Sequence, residues 1–374
     1  GRDRSWPQRL TVRAEWDGRS EWTTVEFDGT DARVVAWEGV PRPESVIPNA
    51  AGIEYGLFHL EASWVDRLAT GLAEVEPALL RGSAILLLHD ALLEERIEPE
   101  RLLNALLDAL AVEDDELLAD EMVDLVGSIF WRYLTPEDRD VLAPEVEAAL
   151  WARVQQARSR TLRSTLFAAW RRIVLTEEGV RQLRAFWEEE AEVPGVPLST
   201  SDLTGIAASL ALRGAGDAEG LLDRQRERIS NPDRLARFDF VRPALSADPA
   251  VRDAFFQSLL EPEARGTEPW VLSGLGYLHD PRRQPAGARY VAPALGELEE
   301  IQRTGDIFFP QRWLGASLGR YSRPEVWSTV DSFLSATPAL PAPLRAKVEQ
   351  EADAVRRAAR IVYGSGAAPV WMIR

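Results

Sequence analysis

Upstream of Leu60 the apolar residues of this chain tend to alternate, and downstream they recur at every third or fourth position almost to the C-terminus. A period of two lines one face of a strand and a period near 3.6 lines one face of a helix, so the chain divides into a short β segment and a long helical one. The alternating runs are Leu10, Val12, Ala14 and Trp16, then Val25 and Phe27, then Val34, Val35 and Trp37, then Tyr55, Leu57 and Leu60. Each reads as a strand. Asp17-Gly18 and Asp28-Gly29 fall between the early runs and predict hairpin turns, because glycine accepts the positive φ such turns need. Pro41, Pro43 and Pro48 break the chain before the last strand.

The helical stripes are long. Leu80, Ala84, Leu87, Leu88, Ala91 and Leu92 follow Pro77, and Leu102, Leu103, Leu106, Leu107 and Leu110 follow Pro99. Proline at the first helical position gives up an amide that has no intrahelical partner, so both prolines predict helix starts. The signal recurs with a capping side chain in front at Thr135-Pro136, Asn231-Pro232 and Asp248-Pro249. Ser199 with Asp202 reads as a capping box, and Thr176-Glu177-Glu178 opens a helix with Val180, Leu183 and Phe186 inward. Ser322-Arg323-Pro324 starts a late helix, and the last runs from Leu344 to Ile361.

These starts fall at roughly half the period of helix-pair repeats, which is about 34 to 47 residues, although no strict consensus repeats. The expected fold is mainly α: an irregular HEAT-like array (an α-α superhelix), each helix pair burying its stripe against its neighbours, preceded by a small antiparallel β segment. Residues 1–60 make the β segment, 61–363 the helical domain, and 364–374 a flexible tail beginning Gly364-Ser365-Gly366.

With 45% hydrophobic and 28% charged residues over 374 positions, the chain has enough apolar material for a large core. It opens at Gly1 with no initiator methionine, which reads as a piece cut from a longer protein. No run approaches the roughly 20 apolar residues of a membrane span. The absence of cysteine rules out disulfides and thiolate chemistry and favours a reducing compartment, the cytoplasm. A net charge of −17 repels phosphate backbones and anionic lipid, so no nucleic-acid or membrane partner is expected. The pairs Arg171-Arg172, Arg282-Arg283 and Arg356-Arg357 read as solvated helix faces.

Motifs that carry chemistry are sparse. The helical zinc site needs two histidines at i and i+4, but His59, His89 and His279 are far apart. Gly315-Ala316-Ser317-Leu318-Gly319 spells the G-x-S-x-G elbow but lacks a preceding strand and any later histidine, so it reads as a small-residue helix contact. Gly274-Leu275-Gly276 lacks the strand–helix context of a phosphate loop. The acidic runs Glu113-Asp114-Asp115-Glu116 and Glu188-Glu189-Glu190 read as surface at helix ends, and the 13 tryptophans as core.

Several stretches resemble the C-terminal region of the M1 zinc aminopeptidases. Pro48-Asn49-Ala50-Ala51-Gly52 with Tyr55-Gly56 is similar to the turn and strand that join that family's β-sandwich to its helical domain. Phe240 to Ser246, Val251-Arg252-Asp253, and Glu268-Pro269-Trp270-Val271-Leu272 through Gly276-Tyr277-Leu278 resemble the middle of that domain. Ile307-Phe308-Phe309-Pro310 with Trp313-Leu314, and Leu344 to Asp353, resemble its end. The resemblance implies a non-catalytic domain that covers the active-site chamber of its parent enzyme and sieves or positions peptides. Its partners would be the catalytic domain of the same parent and the peptide substrates, and zinc would sit in that other domain. The family's HExxH helix, third zinc ligand and catalytic tyrosine have no counterpart here, so no catalytic or metal residue carries over and the chain alone is expected to be inactive. A free-standing α-solenoid that binds a protein is the alternative.

If peptides enter N-terminus first, their carboxylates face this domain, and an acidic protein must place arginines locally to receive them. Arg312, Arg320 and Arg323 cluster around a Trp313–Tyr321 helix in a stretch with no Asp or Glu between Ile307 and Pro324. Their guanidinium forks suit a carboxylate, and Tyr321 would add a hydroxyl donor.

Overall fold

A computed structural model describes residues 7–29, 31–214, 216–284 and 286–364. Among them, 17 α-helices follow a small antiparallel sheet, the mainly α fold that the change of period predicts. Gly364 begins the expected flexible tail, and the rest of that segment lies outside the described residues.

The sheet has three strands, β1 (Gln8–Trp16), β2 (Arg19–Phe27) and β3 (Ser45–Ile47), in the order β2-β1-β3. Leu10 faces Val25 and Trp16 faces Arg19 across the first pair, and Gly18 supplies the positive φ of the hairpin at +74°. Val12, Ala14 and Trp16 alternate onto one buried face, whereas Ile47 of β3, paired with Arg13, is buried on the other.

Two of the expected strands are absent. Val35–Trp37 forms a 3-10 turn closed by its own amides, Trp37 N to Val34 O at 2.9 Å, and the Trp37 ring meets Trp16 edge-on at 5.5 Å. The segment wraps a tryptophan instead of joining a ladder, and Pro41 O takes the Trp16 indole N–H at 2.6 Å. Residues 55–60 belong to no strand and bend at Gly56, with Tyr55 96% exposed, so alternation there marks no sheet face. Asp28-Gly29 is a bend and joins no strand pair. The third strand is Ser45-Val46-Ile47, too short for a period to show.

The helix starts that the sequence marks with a capping side chain are found. Thr176 accepts from Gly179 N, Asn231 from Arg234 N and Asp248 from Ala250 N, and Ser199 with Asp202 closes both halves of a capping box. Pro99 opens Pro99–Val112, whereas Pro77 sits one place earlier than expected, as the N-cap of Ala78–Leu93. Gly274 lies inside the Glu268–Leu278 helix, where a Cβ would lie 2.7 Å from the Phe255 ring. That glycine answers to packing and to no phosphate.

Contacts divide the chain into two units, residues 1–129 with 152–166 and residues 130–151 with 167–374. In the first, the Asn49 side chain ties off its own turn, bonding Glu54 N at 3.2 Å, and its carbonyl accepts from Ser83 of Ala78–Leu93. Arg96 likewise reaches Leu60 O at 2.7 Å. The sheet segment is thus fastened to the helices by side chain to backbone bonds.

The acidic run in this unit is not all surface. Glu113 is 3% exposed and accepts from Arg81 Nε at 2.7 Å, while Arg153, also buried, donates to Leu110 O at 2.9 Å and to Asp114 Oδ1 at 2.9 Å. Asp115 caps Glu116–Ser128 through Leu117 N and Leu118 N. Burial of Glu113 is possible because its charge is matched by a guanidinium from another helix.

The second unit is aromatic. Trp151 lies 4.9 Å from Trp170 and 5.5 Å from Phe186, and a further core gathers Phe256, Tyr290, Phe309, Trp313 and Tyr321. Trp170, Trp187 and Trp313 are fully buried, as the core reading of tryptophan predicts, and the Trp313 indole bonds Ala294 O at 3.0 Å.

Candidate functional site

The structure separates the four residues singled out in the sequence. Arg312 lies on the Phe309–Leu318 helix, exposed, with its guanidinium 5.8 Å from the centre of the Phe308 ring. That helix stops at Leu318 and not at Tyr321, so Arg320 falls in the turn beyond it. Arg320 is half exposed, and its Nη1 stands 3.7 Å from Asp280 Oδ2. Arg323 precedes the Pro324–Ala336 helix and lies 3.5 Å from Glu325.

Tyr321 is 0% exposed, and its hydroxyl meets His279 Nδ1 at 2.8 Å. It therefore cannot serve as a surface donor to a peptide, because its ring fills the core beside His279 and Tyr290. Burial pushes its phenol pKa up, with Tyr290 adding to the shift. The acid-free stretch of sequence is also not acid-free in space: Asp280 faces Arg320, and Glu351 accepts from Gln311 at 3.2 Å.

Asp280 anchors the polar layer beneath Arg320. It is 2% exposed and takes Arg282 Nε at 2.6 Å and Nη2 at 2.7 Å, a bidentate fork. Burial pushes its carboxyl up, but Arg282 and then Arg320 outweigh burial and hold it below the usual range. Arg282 also lies 5.2 Å from the centre of the Trp131 ring, and Arg139 lies 5.5 Å from the same ring. Arg283 donates to Leu245 O at 2.7 Å and closes the Pro232–Leu245 helix. The Arg282-Arg283 pair is thus structural and not a solvated helix face, because a carboxylate and helix-end carbonyls from elsewhere in the chain need its donors.

His279 is 1% exposed, and its Nε2 has no protein partner among the described residues. Burial, with Arg320 contributing, lowers its pKa to about 3, so it is neutral at pH 7. Ser317 lies inside a helix with its hydroxyl buried and unpartnered, which leaves the G-x-S-x-G sequence without a base. Among the described residues no three His, Asp or Glu side chains gather in a way that could hold a metal ion.

Two cavities are lined by arginines, while a third, of about 470 Å³, carries Glu189 and Glu192. The larger, about 730 Å³, adjoins the sheet, and its Arg13, Arg67 and Glu15 neutralise one another, with Arg67 also 2.7 Å from Glu44. The smaller, about 200 Å³, opens between the Thr200–Leu212, Pro232–Leu245 and Glu268–Leu278 helices. Arg234, Arg237, Ser273 and Tyr277 line it. In the sequence Tyr277 stands out only as part of Gly276-Tyr277-Leu278, and Arg234, Arg237 and Ser273 do not stand out. The signal was two arginines at i and i+3 facing a serine and a tyrosine at i and i+4, which becomes visible only once the two helices are known to adjoin.

No protein-family model matches the chain. No curated protein matches it in sequence. Among solved structures it is similar to an aminopeptidase A of Legionella pneumophila, determined in complex with aspartic acid, with 13% identity and a TM-score of 0.42 over 94% of this chain and 46% of that one. The chain thus spans about half the length of that structure. A likeness so distant says nothing about activity. Among the described residues no helix is long and apolar enough to cross a membrane.

Proposed function

We propose that the chain is the non-catalytic C-terminal part of an M1-type zinc aminopeptidase, covering the active-site chamber and positioning or sieving peptides. The observation that carries this reading is the short sheet fastened to the helices through Asn49 and Ser83, at the very turn whose sequence resembles the junction of that family. A free-standing helical module has no need of three strands too few to close a sandwich. Parts of the other resembling stretches fall on packed positions: Phe240 lies 5.6 Å from Phe255 and 5.8 Å from Trp270, and Trp313 and Leu314 are buried, whereas Val251, Ile307 and Phe308 are exposed.

In this reading the helices form a HEAT-like array, zinc and all catalytic groups belong to the upstream domain, and Arg312, Arg320 and Arg323 face the carboxylate ends of peptides. The test is enzymatic and genetic. The isolated chain supplied with zinc is expected to hydrolyse no aminoacyl amide, and the reading frame upstream of Gly1 is expected to encode an HExxH helix. Turnover by the repurified chain overturns the proposal. An upstream sequence without that helix favours the protein-binding solenoid instead.

A further inference from the structure

Arg234 and Arg237 stand one turn apart on the Pro232–Leu245 helix and border the 200 Å³ cavity with exposed side chains. The chain has 60 acidic residues, yet neither of these arginines forms an ion pair with a described residue. Arg237 donates only to the Ser273 hydroxyl, at 3.2 Å, and Arg234 makes no ion pair with a described residue. The Tyr277 hydroxyl has no hydrogen bond to a described residue, yet Arg237, Arg171 and Arg320 are near enough to oppose the rise that burial imposes on its pKa.

Two acids that act on Tyr277 and Arg171 are already committed. Asp280 is held by the Arg282 fork, and Asp202 by the Ser199 cap. Arg171 reaches this side because position 205 is glycine: a Cβ there would lie 2.5 Å from Arg171 Nη1. Positive potential thus converges on a recess that also holds the Thr200 and Tyr277 hydroxyls, while those of Thr204 and Ser273 already donate to Thr200 O and Pro269 O. Uncompensated guanidinium groups beside neutral donors make a receptor for an oxyanion.

The remaining wall decides which oxyanion. Ile229, Phe238 and Val241 are buried side chains that close the cavity on its apolar side. An inorganic anion would leave that wall unused, whereas a ring or short aliphatic body would cover it. The volume is suitable, since a cavity of about 150 Å³ accepts a benzene ring. We infer that the cavity binds a small organic carboxylate, its charged end on Arg234, Arg237 and Tyr277 and its apolar body against Phe238 and Val241. This assignment stands apart from the aminopeptidase reading, because it concerns binding by the chain alone.

Benzoate is the probe, followed by saturation-transfer NMR and calorimetry on the full chain, with benzamide and inorganic phosphate beside it. Benzoate is expected to bind saturably and benzamide is not. Each arginine lost removes a charge-assisted bond, so Arg237→Gln and, separately, Arg234→Gln should weaken benzoate about tenfold or more. Arg303→Gln, exposed on the Leu298–Thr304 helix, should leave it unchanged. Both cavity arginines are exposed on a helix surface, and circular dichroism of each variant verifies the fold. The assignment is overturned by equal binding of benzoate and benzamide, by phosphate binding more tightly than benzoate, by benzoate binding that Arg237→Gln and Arg234→Gln leave intact, or by no saturable benzoate binding up to about 10 mM.

Discussion

A histidine sealed between two tyrosine rings, with one nitrogen bonded and the other bare, has every reason to stay uncharged. His279 is that residue, and its pKa of about 3 lies well below the ordinary 6.5. Between those values the unfolded chain binds a proton that the folded chain refuses. The folded state therefore holds this contribution in full above about pH 6.5 and loses it as pH falls toward 3, with a slope of up to about 1.4 kcal/mol per pH unit. Asp280, whose carboxyl is depressed, acts in a lower window, its stabilisation fading only below the ordinary carboxylate range near 4. Urea midpoints between pH 5 and 7 thus isolate the histidine, and His279→Gln is expected to flatten that limb, whereas an unchanged slope would assign it to other groups. In the sequence His279 is only the last of three scattered histidines. Its partner Tyr321 lies 42 positions away, and nothing local in either residue announces the contact.

At the scale of elements, what could be read locally was read well. A cap at Thr176, Ser199, Asn231 or Asp248 acts on amides two or three residues away, so the chemistry and its signature share one window of sequence. Strands fared worse because pairing is not local: Val34 to Trp37 alternates as a strand should, but its backbone closes on itself against Trp16. The buried bond from Arg81 to Glu113 spans 32 positions and turned an apparent surface run into an internal brace. Its worth can be measured. Glu113→Ala leaves a buried guanidinium without its counter-charge and is expected to destabilise the fold by about 3–5 kcal/mol, whereas Glu113→Gln, which keeps a hydrogen-bond acceptor, loses less. Equal urea midpoints for wild type and Glu113→Ala would show that the brace contributes nothing.

For the whole molecule, fold class was legible because helical period is repeated by nearly every segment after Leu60, and so many weak signals agree. The division into two units was not, since its seam passes through the Pro136–Gln156 and Arg160–Ile173 helices, whose patterns run on unbroken. Nor was the arginine-lined cavity, which depends on three helices meeting. The strand order has a further consequence. Among the described residues β2 is bonded to β1 on one side only, so nine residues of main chain offer their other row of amides and carbonyls to an extended segment. Glu21 and Glu26 place charges along that border, but Trp22 is 46% exposed between them. The isolated chain is therefore a template for cross-strand oligomers. Its light scattering should climb with concentration, and Trp22→Lys, by adding a charge at the border, should hold it to one copy at concentrations where the parent chain associates.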